Sequence, residues 1–144
     1  MDRSLAACLY EQHKNGIYRY ALSILKDTQL AEDVLHDTFV KLLSGSQPQN
    51  VLPWLYRVAR NLCYDQLRRA KRESPLVQPP SQADISYAYI ELIAALPPHE
   101  QEIVTLKIVS GLTHKEIGNI LGITASAAQK RYERAIAALR DKEE

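Results

Sequence analysis

At 144 residues the chain has room for one ordinary domain or two small ones. Its apolar fraction of 46% and charged fraction of 24% are ordinary for a globular chain, and a net charge of +1 gives no whole-chain signature of nucleic-acid binding. No run approaches the ~18 consecutive apolar residues of a membrane helix, and the amino terminus lacks the positive start and apolar core of a secretory signal. The two cysteines, Cys8 and Cys63, are isolated and lack the spacing of a metal site or disulfide framework, so both read as packing residues in a reduced, cytoplasmic protein.

Charge is unevenly distributed. Residues 51–72 hold six basic side chains and one acid, whereas residues 1–43 hold five bases and six acids. A concentrated basic segment inside a near-neutral chain is a local electrostatic footprint.

In chain order, residues 3–14 and 17–26 have helical apolar periodicity, with Asn15-Gly16 between them as a break or a kink. Thr28 is placed to cap the next helix. In that helix Ala31, Val34, Leu35, Thr38, Phe39 and Leu42 recur at three- and four-residue steps and predict one buried face. Gly45 to Pro53 reads as a loop. A helix follows from about Val51 or Leu52 to Arg72, with Leu55, Val58, Ala59, Leu62, Cys63 and Leu67 as its buried stripe.

Residues 73–84 contain three prolines, which forbid a continuing helix and mark a linker. Beyond it, Ile85 to Ala95 predicts a helix. Pro98 suits the first turn of another, running from His99 to Ser110, with Gly111 as its stop. Thr113 and Glu116 have capping-box spacing for a short helix ending near Leu121. Gly122-Ile123 makes a turn, and Thr124 caps a last helix reaching about Arg140. The fold expected is all-α, in two small helical modules at 1–72 and 85–144.

Two constellations point to DNA. Residues 113–140 make a helix-turn-helix pattern in which Ile117, Leu121 and Ile123 pack the pair together. The second helix would present Ser126, Gln129, Lys130 and Glu133 to a major groove. Thr124 would offer a phosphate the helix-start amides, and Arg131 and Arg134 would reach the backbone. On the helix over 54–72, Arg57, Arg60, Asn61, Tyr64, Arg68, Lys71 and Arg72 share the face opposite the apolar stripe. Arginines serve phosphates, Asn61 can read a base edge, and Trp54, Tyr56 and Tyr64 are suited to stack on unpaired bases. A plain helical hairpin and an ordinary amphipathic helix would carry the same two patterns. The acids Asp27, Glu32, Asp33 and Asp37 form either a docking surface or a helix-start complement to the dipole. The four histidines are scattered and no glycine-rich phosphate loop is present, so no enzymatic site, metal site or cofactor is expected.

Several of these segments together resemble the extracytoplasmic-function group of RNA polymerase sigma factors. Ala31-Glu-Asp-Val-Leu-His-Asp-Thr-Phe-Val-Lys-Leu42 is similar to the family's second conserved region, with His36 where Gln is usual and Asp37 where Glu is usual. Residues 54–69 are similar to its promoter-reading helix. Leu96 to Val104 and Gly111 to Ile123 are similar to its fourth region, while the helix that follows has Ala127-Ala128 where Thr-Val is common and Gln129-Lys130 where Lys-Ser is common.

The resemblance implies that the front module docks on the clamp helices of the polymerase through Glu32, Asp33 and Asp37. It implies that Trp54, Arg57, Arg60, Asn61, Tyr64 and Arg68, with loop 44–53, recognise and open the −10 element, where a flipped base costs a few kcal/mol of unstacking. It assigns the −35 element to Thr124, Ser126, Gln129, Lys130, Arg131 and Arg134, gives the back module a contact with the polymerase flap, and adds an anti-sigma protein as a further partner. Two rival readings are a conventional helix-turn-helix regulator of duplex operators and a sigma-like decoy that binds polymerase without opening DNA. The first leaves the 54–72 face unexplained.

Overall fold

A computed structural model describes residues 2–45, 47–73, 89 and 91–143. Among the described residues the regular structure is helical throughout. The front module holds α1 (Arg3–Leu25), α2 (Thr28–Ser44) and α3 (Val51–Glu73). The back module holds α4 (Pro98–Val104), a π-helical turn (Thr105–Val109), α5 (His114–Leu121) and α6 (Ala125–Glu143). Residues 74–84 of the expected linker lie outside the described residues. So do residues 85–88 and 90 of the expected helix 85–95, of which Tyr89 and 91–93 are helical and Ala94-Ala95 form a turn.

The helix α1 starts on Asp2, whose carboxylate accepts a bond from the Ser4 amide at 3.1 Å. It runs unbroken through Asn15-Gly16. A mid-helix glycine costs about 1 kcal/mol, which is offset by the burial of Ile17, Tyr20, Ala21 and Leu22 just beyond it. The helix stops at Lys26, in the left-handed region at φ 56°, with its amide bonded to the Leu22 carbonyl at 2.8 Å.

Asp27, rather than Thr28, caps α2: its carboxylate accepts from the Leu30 amide at 3.1 Å, and Thr28 is the first helical residue. An acid at this position satisfies an orphan amide and complements the dipole. Helix α3 begins at Val51, so Pro53 sits in its first turn and the preceding loop ends at Asn50. The first turn tolerates proline because its amide would have no intrahelical partner. Ala31, Val34, Leu42, Leu55 and Ala59 are buried where α2 and α3 meet α1.

In the back module the expected helix from His99 changes form at Thr105. The Ser110 amide bonds back to the Thr105 carbonyl at 3.0 Å, five residues away, and the turn widens. The Thr105 hydroxyl is held between the Gln101 carbonyl at 2.8 Å and the Tyr89 hydroxyl at 3.1 Å. Gly111 takes φ 69° and releases the chain toward α5. The two modules pack on one another, α3 against α5, and α1 against α4 and the π-helical turn.

The α5–α6 turn depends on two glycines with different duties. Gly122 takes φ 74°, the left-handed stop. Gly118 lies inside α5, where the Ile123 amide returns to its carbonyl at 2.9 Å. A β-carbon on Gly118 would stand 2.6 Å from the Ile123 carbonyl oxygen, a backbone atom that moves only with the turn. Gly118→Ala should therefore destabilise the protein by about 1–3 kcal/mol, the usual cost of overpacking, although alanine is the better helix former. Thermal unfolding followed by circular dichroism checks this, and an unchanged melting temperature would mean that the turn has room to relax.

Candidate nucleic-acid interface

The helix-turn-helix is closed by hydrogen bonds at both helix starts. The Glu116 amide donates to the Thr113 hydroxyl at 3.1 Å, while the Thr113 amide donates to the Glu116 carboxylate at 3.0 Å. This is the capping box expected from the spacing. Thr124 accepts from the Ala127 amide at 3.0 Å and so caps α6. Ile117 is fully buried, with Leu121 and Ile123 packed against the same core.

On α6 the apolar side lies inward. Ala128 and Ala135 are fully buried, so the alanine at 128 serves close packing between the helices. Ser126, Gln129, Lys130, Glu133 and Arg134 are exposed, and Arg131 is half-buried. The Gln129 amide group donates to Glu133 at 3.1 Å, one turn on. The helix thus presents two polar side chains, two cations and an acid that the Gln129 side chain partly occupies.

The basic face of α3 is divided. Arg57, Asn61 and Arg68 are exposed, and Arg68 pairs with Asp65 on the same helix. Trp54 is half-buried and packs against the core with part of its surface outward. Tyr56, expected from sequence as a stacking residue, is instead in the core. It is 1% exposed, beside Tyr20 at 5.5 Å between ring centres, and its burial pushes its phenol up to about 12.

Arg60 and Tyr64 face the back module, where Glu102 of α4 meets them. The Arg60 Nε donates to Glu102 Oε1 at 3.0 Å, and the Tyr64 hydroxyl donates to Oε2 at 3.0 Å. From α1 the Tyr20 hydroxyl donates to Oε1 at 2.8 Å. The Arg60 guanidinium also lies over the Tyr64 ring, 4.9 Å from its centre. Glu102 is only 4% exposed, yet both its oxygens are satisfied. Burial, with the neighbouring carboxylate, raises Tyr20 well above its ordinary value and Tyr64 to about 12, so both phenols keep the protons they donate.

Sequence reading missed this cluster because Glu102 occupies an ordinary helical position. The one available signal was that it falls among residues otherwise patterned for the core. Tyr20 likewise lies inside the apolar-periodic stretch 17–26, where nothing local marks its hydroxyl.

A second contact joins the modules. The Ser110 hydroxyl, placed by the π-helical turn, donates to the Gly16 carbonyl at 3.4 Å. Glycine at position 16 is required by the front module itself: a β-carbon there would meet the Tyr56 hydroxyl at 2.5 Å, while Ser110 would stay in ordinary contact at 3.8 Å.

Glu32, Asp33 and Asp37 are exposed on α2, together with His36. Glu32 and His36 border an open groove of about 640 Å³ between α1 and α2, whose apolar lining includes Tyr10, Leu35, Phe39 and Val40. Val40 and Leu43 are each 46% exposed beside it. The apolar part of this surface was also missed, because Val40 and Leu43 continue the helical periodicity of a core. Cys63 is buried and its thiol is pushed up by desolvation, whereas Cys8 is exposed and does not pack as expected. Among the described residues no group of three or more His, Cys, Asp or Glu could hold a metal, and no helix is long and apolar enough to cross a membrane.

Residues 9–73 match the family described as sigma-70 region 2, and residues 86–139 match sigma-70 region 4. The extracytoplasmic-function RNA polymerase sigma factor SigM of Bacillus subtilis is 32% identical over 132 residues, covering 81% of each chain. The chain belongs to the extracytoplasmic-function sigma factors. Its fold is also that of CnrH, solved in complex with the cytosolic domain of CnrY, at TM-score 0.73 and 24% identity over 97% of this chain and 88% of that one. The sigma factor RpoE of Bartonella quintana, solved with the anti-sigma factor NepR, gives TM-score 0.69 and 22% identity over 93% and 95%.

The divided face makes two neighbouring arginines of this sigma factor unequal. Arg57→Ala removes an exposed cation and should change stability by less than about 0.5 kcal/mol. Arg60→Ala leaves a buried carboxylate short of its charged donor and should cost about 1.5–3 kcal/mol, the worth of a hydrogen bond to a charged group. Parallel thermal or urea unfolding of the two variants separates them. Equal losses would show that the Arg60–Glu102 pair adds nothing beyond a surface arginine.

Proposed function

We propose that this sigma factor divides promoter recognition between its two modules: residues 1–72 bind core polymerase and the −10 element, residues 73–84 link, and residues 85–144 read the −35 element. The observation that carries this is the pair of cation-bearing helix faces, one on α3 and one on α6, on separate modules of one chain with complementary chemistry. The α3 face combines arginines with Trp54 and Asn61, which suits unpaired bases. The α6 face is a short exposed row behind a capped turn, which suits a duplex major groove.

In this reading Trp54, Arg57, Asn61 and Arg68 act at the −10 element, joined by Arg60 and Tyr64 when Glu102 withdraws. Thr124 sits at the start of α6 near the phosphates, Ser126, Gln129 and Lys130 face base edges, and Arg131 and Arg134 hold the backbone. Glu32, Asp33 and Asp37 meet a basic surface of core polymerase, and the apolar groove beside Glu32 receives its side chains. The back module contacts the polymerase flap. An anti-sigma protein is a further partner, the protein acts in the cytoplasm, and it works by binding and positioning DNA, with no catalytic group or cofactor of its own. Each module can bind weakly, because tethering makes the second contact effectively intramolecular.

The purified chain, sigma-free core polymerase and a promoter library test the proposal, with transcripts sequenced. Discrete start sites sharing upstream elements are expected. Core binding without transcripts would instead favour a sigma-like decoy. Asp33→Arg should weaken core binding while leaving duplex binding by α6 unchanged. Lys130→Ala and Arg131→Ala should both weaken binding to −35 duplex. If Arg131 holds a phosphate, its variant alone should flatten the salt dependence by about one unit of slope; an unaltered slope removes that role.

A further inference from the structure

Glu102 is surrounded as a bound anion would be. Its two oxygens accept from a guanidinium Nε and two phenols, at 3.0, 2.8 and 3.0 Å. All three donors belong to the front module, on α1 and α3, and the acceptor alone belongs to the back module. The set matches what a phosphodiester asks for: one negative charge shared by two oxygens, a charged donor and neutral hydroxyl donors.

We propose that Tyr20, Arg60 and Tyr64 form a binding site for a DNA phosphate, and that Glu102 fills it as an internal competitor whenever the modules are closed on each other. The proposal rests on the reading of α3 as a DNA-binding face and adds to it a ligand chemistry, a residue from α1 and a means of control. Closure engages two partly buried residues of that face, Arg60 and Tyr64, and covers the third donor, Tyr20, completely. Free chain then binds single strands poorly, because the competent open state is a minor one. Under the proposed sigma reading, in which the front module meets core polymerase and the back module meets its flap, docking withdraws Glu102 and frees the donors together.

The π-helical turn supplies a second latch. Ser110 bonds the Gly16 carbonyl away from the anion site and without any charge. Closure can therefore be disturbed at either end, and the two disturbances change the net charge in opposite directions. Glu102→Gln removes the competing negative charge. Ser110→Glu sets a longer, charged side chain against the Gly16 carbonyl and the buried Tyr56 hydroxyl, and adds a negative charge, which by itself opposes DNA binding.

The test measures the polymerase-free full chain and both variants in two ways. Small-angle scattering gives the radius of gyration, about 15 Å for a compact chain of this length. Fluorescence anisotropy gives the affinity for a short labelled single-stranded DNA of mixed sequence. Both variants should expand by several Å and bind about ten-fold more tightly, the gain expected if the competent state rises from about a tenth to most of the population.

Tighter binding by Glu102→Gln alone, with Ser110→Glu expanded but no tighter, would reduce the effect to lost repulsion and overturn the proposal. Failure of Glu102→Gln to expand would also overturn it, since the carboxylate would not then hold the modules. Wild-type promoter-directed transcription with core polymerase, run alongside, keeps the two levels apart. If it succeeds while both variants expand without binding better, the anion site is wrong and the sigma reading stands. If it fails, the sigma reading fails independently of the closure measurements.

Discussion

A carboxylate that is 4% exposed loses nearly all its hydration, at a cost of several kcal/mol unless donors replace the water. Glu102 recovers that cost only when α1 and α3 bring Tyr20, Arg60 and Tyr64 to it. The arrangement between the modules follows from this requirement. It fixes the rotation of α4 against the front bundle. It also selects which residues of the α3 face turn inward and which, such as Arg57 and Asn61, remain outside. Apolar contact alone would allow sliding, but three directional bonds to one carboxylate do not.

The same interaction gives the packed arrangement its geometry more than its strength. A buried ion pair is weak evidence of net stability, because desolvation consumes most of the Coulombic gain. The closed arrangement is thus specific in geometry without needing to be strong. That combination is compatible with the proposed division of promoter recognition between the two modules. The neutral Ser110–Gly16 contact adds register and little attraction, since hydrogen bonds of this kind contribute about 1 kcal/mol net.

Local signals with a defined stereochemical cause were legible in the sequence. The capping box at Thr113 and Glu116, the stop at Gly122 and the cap at Thr124 each follow from a few neighbouring residues, and each is found in place. The buried faces of α2 and α3 follow from period alone. What was not legible depends on partners distant in sequence. Asp27 displaced Thr28 as cap because a carboxylate is the better acceptor for an orphan amide. The helix at Asn15-Gly16 continues because tertiary burial outweighs a local propensity cost. The π-helical turn has no simple sequence mark, and Tyr56 went inward because its ring completes the core beside Tyr20.

Tyrosine and arginine show why face assignment from a helical wheel has a limit. Both have apolar stems and polar tips, so the same residue fits an interface, a solvent face or a nucleic-acid surface. On α3 the wheel places Arg57, Arg60, Asn61, Tyr64 and Arg68 together, yet the structure divides them by reach toward a single acid 42 residues from Arg60 in sequence. The division leaves the α3 face in two tiers: Arg57, Asn61 and Arg68 are exposed, whereas Arg60 and Tyr64 are engaged by Glu102 of α4. The cations of this face are not all presented to solvent alike, because the buried carboxylate neutralises Arg60.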